Sequence, residues 1–289
     1  MRSFNKTLGA LSLLLAVGSA NAFTISAGDF KFTFDNYDAG TVNYGSTPGL
    51  KCTTVASCNA FPGIIPAPGS GATGFDTMGI FSVAAITNIS SGASMFTRGP
   101  NGFLTGIFSQ LTDRTAEVLC GVTGCTTTTL SSGGVFSLWT NGSDYNPALG
   151  PTGAGVNLPS MIYPGISSGS LYLQGQFVTG VLAGDTTTTY LANFNNASFA
   201  GNGSAFLDVT GGSAFNTFNT NSLTDANGNK RDLFATITFD DVNGLASTLG
   251  WTVKSSGQIS GSAVPEPGSL ALVALALLGA SAALRGRKR

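Results

Sequence analysis

Few residues of this chain of 289 have side chains suited to chemistry, and the best-ordered group of them stands at its end. There Pro265-Glu266-Pro267 precedes an uncharged run over 269–284, rich in Leu, Ala and Val, and then Arg285, Arg287, Lys288 and Arg289. Two prolines hold a backbone extended and unable to enter a helix or sheet, so the triplet stays accessible and Glu266 offers a lone carboxylate to be read. At about 1.5 Å per residue the uncharged run makes a helix of roughly 24 Å. That falls short of a hydrocarbon core of about 30 Å. Local thinning of the bilayer and outward snorkelling of the basic tail cover the deficit. The sequence thus predicts a single C-terminal transmembrane helix over 269–284.

Elsewhere the inventory excludes more than it offers. With no His in the chain, Ser-His-Asp and Cys-His nucleophiles and the usual zinc-hydrolase centres are ruled out. A carboxylate pair could still cleave glycosides. Between the two ends the only Glu is Glu117, so such a pair would draw mainly on aspartates. Neighbours in a strand, such as Asp240 and Asp241, point to opposite faces, and these two lead toward a turn at Asn243-Gly244. The stretch "DANGNK" (225–230) begins like a calcium loop, with Asp225, Asn227 and Asn229 at the right spacing. It lacks the sixth-position Gly and the closing Glu, and reads as a hairpin turn on Asn227-Gly228. We therefore expect no enzyme, no cofactor and no metal site, with a glycan- or calcium-binding surface module as the alternative reading and, after it, a secreted glycoside hydrolase. Cys52/Cys58 and Cys120/Cys125 form two close pairs whose spacing suits disulfides better than zinc, with three possible pairings.

The N-terminus carries a companion signal: Arg2 and Lys6, an apolar stretch over 8–17, and the small-residue cleavage site Ala20-Asn21-Ala22. This predicts a cleaved signal peptide over 1–22, and export, which also favours disulfides. The positive-inside bias leaves the basic tail in the cytoplasm and the body outside the inner membrane. Pro-Glu-Pro, apolar helix and Arg-rich end, in that order at 264–289, resemble the PEP-CTERM sorting signal of Gram-negative bacteria. The resemblance implies that an exosortase, a membrane-embedded cysteine transpeptidase, cuts near Pro265-Glu266-Pro267 and passes the body to the cell surface or extracellular matrix. The segment "GSAFLDVTGGSAFNTFNTNSLTDANGNKRDLFATITF", with "GWTVKSSGQISGSAVPEP" after it, is similar to the C-terminal half of flocculation-associated PEP-CTERM proteins. That likeness implies exopolysaccharide and matrix as partners, in a biofilm or floc.

What must be positioned by a fold is the body, 23–263, one domain by length. It holds seven bases against thirteen acids, a net charge of −6, with no basic stripe for nucleic acid. Forty Gly and twenty Phe, with only 9% charged residues, describe a folded, turn-rich protein and not a disordered one. Alternation of period two runs through "FKFTF", "AFLDV" and "LFATITF", and strands are also expected at 80–86, 135–139, 171–178 and 251–259. Asn-Gly and Gly-Gly pairs punctuate them, Gly133-Gly134 among these. These features predict an all-β body, an antiparallel β-sandwich or jelly roll. One helix competes with a strand at 109–119, where Leu111, Thr115 and Val118 share a side. Trp139, Tyr145, Tyr163 and Tyr172 are candidates for stacking on sugar rings, with core packing as the alternative.

Overall fold

The computed structural model describes residues 28–40, 77–122, 124–151, 163–195, 200–241, 249–251 and 253–264, with the isolated positions 54 and 56. Its long strands are β1 (Gly28–Gly40), β2 (Thr77–Asn88), β4 (Phe103–Gly121), β5 (Gly124–Asn141), β6 (Ser170–Val178), β8 (Gly201–Gly211), β11 (Leu233–Asp241) and β12 (Val253–Ala263). Shorter elements are β3 (Ser94–Thr97), β7 (Tyr190–Asn195), the one-turn helix α1 (Phe215–Phe218) and the small hairpin β9 (Leu223–Thr224) with β10 (Lys230–Arg231). The long strands pair antiparallel in the order β1-β12-β11-β8-β6-β5-β4-β2, and β2 returns to pair with β1.

The sheet is therefore a closed eight-stranded barrel, which corrects the expected sandwich or jelly roll. Alternation looks the same in both. Closure depends on β1 finding β12 on one side and β2 on the other, across most of the chain, and no local pattern encodes that. The helix expected at 109–119 is also overturned, since β4 runs through all of it. No helix among the described residues is long and apolar enough to cross a membrane. The segment 269–284, expected to do so, lies outside them.

Inside, the barrel is filled. Phe30, Phe32 and Phe34 of β1, Phe81 and Val83 of β2, Phe136 and Leu138 of β5, Leu173 of β6 and Leu207 and Val209 of β8 converge in one apolar cluster. Glycine directly across the ladder makes room for the rings. Phe34 faces Gly257, Phe81 faces Gly106, Phe108 faces Gly79 and Phe136 faces Gly175. A Cβ at Gly106 would lie 2.2 Å from the Phe81 ring, and one at Gly257 would lie 2.3 Å from that of Phe34. The Gly- and Phe-rich composition thus becomes a packing rule, large against small across each rung. The cavity left among these side chains measures about 20 Å³, far too small for an organic ligand.

Outside the barrel, Ala39, Met78, Ile80 and Ile107 lie under a second cluster with Tyr163, Ile166 and Trp251. Trp251 donates its indole N–H to the Pro147 carbonyl (2.7 Å), and Tyr163 donates its hydroxyl to the Asn146 carbonyl (2.9 Å). Trp139 and Tyr145 pack against this cluster and Tyr172 against the barrel core, so these aromatics serve packing. Away from this cluster, the outward residues of β1, β12, β11 and β8 are mostly polar.

Candidate functional site

Each end of the barrel has its own chemistry. At one end the chain enters and leaves side by side. Gly28 of β1 is the register partner of Ala263 of β12, and ladder pairing continues through Asp38 and Val253. Beyond β12, Val264 donates its N–H to the Thr217 carbonyl (3.0 Å) in α1. Phe218 of α1 is fully buried and closes this end, its ring 4.8 Å from that of Phe30. The turn after β2 sits next to the entry point, with the Ile89 N–H donating to the Asp29 carbonyl (2.8 Å). Among the described residues of this end, Ile89 and Val264 are large apolar residues that stand exposed, at 54% and 44%.

The opposite end is polar inside. On β1 the inward series Phe30, Phe32, Phe34 continues as Asn36 and Asp38. Asp38 accepts hydrogen bonds from the Asn36 amide and from the Ser255 hydroxyl (3.4 Å). Burial nevertheless outweighs these bonds and pushes its carboxyl up to about 8. Asp113 of β4, buried, accepts from the Ser131 hydroxyl (2.6 Å). Tyr190 of β7 has its phenol raised, first by burial and then by Asp38 and Asp113. Past this floor β4 and β5 continue as a hairpin arm, bridged at its tip by a Cys120–Cys125 disulfide. Leu119 and Val122 are exposed there.

On the outer wall, β1, β12, β11 and β8 align their outward residues in rows. Thr33, Gln258, Thr236 and Ser204 make one row, and Asp35, Ser256, Thr238 and Asn202 the next. A third holds Lys31, Ser260, Phe234 and Phe206, whose two rings lie 4.8 Å apart. Strands about 4.8 Å apart and rows two residues apart make this a regular grid of hydroxyls and amides beside an aromatic pair.

The remaining predicted groups find structural places. The "DANGNK" stretch is the turn between β9 and β10. Asp225 there accepts from the Asn227 and Asn229 N–H groups (both 2.8 Å) and from Arg231 Nε (2.9 Å), so its oxygens are taken up by the turn itself. Arg231 also donates to Asp208 (3.0 Å) and to the Thr179 carbonyl (2.9 Å), pinning the small hairpin to the wall. Asp240 and Asp241 lie in β11, with Asp240 opposite Lys254 of β12. Among the described residues no three acidic or Cys side chains gather as for a metal. Ala20, Ala22, Cys52, Cys58, Pro265, Glu266, Pro267, Arg285, Arg287, Lys288 and Arg289 lie outside the described residues. The polar floor was missed by sequence reasoning, although extending the alternation of "FKFTF" two steps further puts Asn36 and Asp38 on the inward face.

The last described residue, Val264, follows β12 directly, and Gly28, the first residue of β1, pairs with Ala263. The PEP-CTERM protein-sorting motif matches residues 263–288, beginning at the last residue of β12. The chain thus carries the PEP-CTERM protein-sorting motif, which indicates an exported protein sorted by an exosortase. No curated protein and no solved structure matches the chain.

Proposed function

We propose that this is a non-enzymatic cell-surface or extracellular-matrix protein that, once sorted, associates with exopolysaccharide in a biofilm or floc. The observation that carries the reading is the grid on β1, β12, β11 and β8. Its Thr, Ser, Asn and Gln side chains exchange hydrogen bonds with sugar hydroxyls as readily as with water, and Phe206 with Phe234 offers an apolar surface for a ring face. The filled barrel supports a surface role over the carriage of a small molecule. As a matrix component the protein works by binding and needs no turnover.

The test is co-sedimentation of the processed protein with exopolysaccharide from the same culture. We expect the wild type to pellet with the polymer and the Phe206→Ala/Phe234→Ala double variant to bind about tenfold more weakly. Wild type that stays in the supernatant at every polymer concentration would sink the proposal. Release of reducing sugar from the polymer by the pure protein would point to a hydrolase instead.

A further inference from the structure

We propose that the Cys120–Cys125 disulfide at the tip of the β4–β5 arm is a thiol-exchange site, where an uncharged low-molecular-weight thiol adds reversibly to Cys120 and releases Cys125. The site is independent of the matrix role and gives the protein a covalent chemistry of its own.

Direction of attack decides which sulfur reacts. A thiolate attacks a disulfide in line with the S–S bond, from the side opposite the sulfur that leaves. Cys120 and Cys125 stand directly opposite in the ladder, so their bond runs across the hairpin from one strand to the other. Beyond Cys125 its line crosses β5 to the side where β7 pairs, up to Thr126 opposite Asn195. Beyond Cys120 it leaves over the outer edge of β4. Among the described residues β2 pairs with β4 no further than Leu111, so that edge carries no strand at Cys120. Exposure agrees, for Cys125 is fully buried and Cys120 is exposed. The sulfur within reach of in-line attack is therefore that of Cys120.

The exchange is balanced without an oxidant. The electron pair of the incoming thiolate forms the new S–S bond to Cys120 Sγ. The pair of the old bond goes to Cys125 Sγ, and this thiolate takes a proton from water. Because the ladder keeps Cys125 opposite Cys120, its thiolate can attack the adduct in turn, expel the thiol and restore the clasp. The fold loses little meanwhile, since the bridge closes only the short loop 121–124 at a tip the ladder already joins.

Charge selects the thiol. From Thr115 to Thr126 the sole charged residue is Glu117, which is exposed. Three residues along the strand put its carboxylate about 10 Å from Cys120. With no cation on this stretch to offset it, an anionic thiol is disfavoured at low salt and an uncharged one is not.

The experiment treats the protein as recovered from cells, disulfides intact, with 2-mercaptoethanol under conditions where circular dichroism shows the folded state. The reaction is stopped with acid, free thiols are alkylated in denaturant, and adducts are located by peptide mass, which reads Cys52 and Cys58 separately. We expect the adduct on Cys120 to exceed that on Cys125 by about tenfold or more, against near-equal amounts in denatured protein. With glutathione, an anion, Glu117→Gln should quicken the exchange about twofold at low salt, and it should leave the rate with 2-mercaptoethanol unchanged. An adduct mainly on Cys125, or an even split in the folded protein, would overturn the site. Exchange that appears only as the barrel melts would overturn it as well. Equal glutathione rates for Glu117→Gln and wild type would remove the preference for an uncharged thiol.

Discussion

Asp38 stands in an environment far from the ordinary one for a carboxylate. Burial raises its carboxyl to about 8 despite the bonds from Ser255 and Asn36. In the unfolded chain it ionises near the usual carboxylate value, so between that pH and about 8 the folded state holds the extra proton. The contribution of Asp38 to stability is therefore complete in acid and is lost as pH rises through that window. Asp38→Asn keeps the shape and cannot ionise. We expect thermal melts to show the variant more stable than wild type by about 1 kcal/mol or more at pH 8, with the difference vanishing near pH 4. A difference independent of pH would mean that Asp38 is ionised in the folded protein. The phenol of Tyr190, raised by burial, stays neutral through this window and does not contribute to the slope.

 The control for a change in floor polarity alone is Tyr190→Phe.

At the scale of elements, the strands were legible and their irregularities were not. Alternation and apolar runs found β1, β2, β5, β6, β8, β11 and β12, most of them with one face in the core and one in water, while β2 is buried on both faces because its outer side lies under the second cluster. In β4 the period slips twice, at Gln110 with its positive φ of 65° and between Asp113 and Thr115, where the ladder with β5 shifts. Two slips within a few residues bring Leu111 and Val118 to a helix-like spacing, which is why 109–119 imitated a helix. Gly133-Gly134 has the look of a turn and instead lies within β5, opposite that irregular stretch. At the tip of the arm built by β4 and β5, Leu119 and Val122 are exposed, while β5 pairs with β7 behind it and buries Cys125, Thr127 and Thr129. The disulfide at this tip closes a short loop already closed by the hairpin, so Cys120→Ser/Cys125→Ser should cost only about 1–2 kcal/mol. Hydrogen exchange should quicken at the tip and stay unchanged in β1 and β12. Global unfolding of the double variant would refute this picture of a local clasp.

For the whole molecule, the address was readable and the architecture only in part. Pro265, Glu266, Pro267 and the basic tail form a contiguous signal that needs no fold to be read, whereas the polar grid joins residues from β1 to β12 that come together only when the barrel closes. Closure also sets where the chain can be cut. A protein ending at Val264 retains every rung of β12, but one ending at residue 252 loses the strand between β1 and β11. We expect the first to melt cooperatively like the processed protein and the second to show no cooperative transition by circular dichroism. Cooperative melting of the shorter chain would mean that β1 and β11 can seal the barrel without β12.

The placement of β12 also has a mechanical meaning. A body held by its C-terminal end and pulled from the far hairpin is loaded along the direction of its strands. β12 is clasped by eleven register partners in β1 and nine in β11, and such a pull strains these rungs together instead of peeling them one by one. Resistance is then a matter of how rarely the whole set lets go under load, a rate of rupture and not an equilibrium stability. Fixed by this strand, the barrel would behave under flow as a rivet and not as a zip.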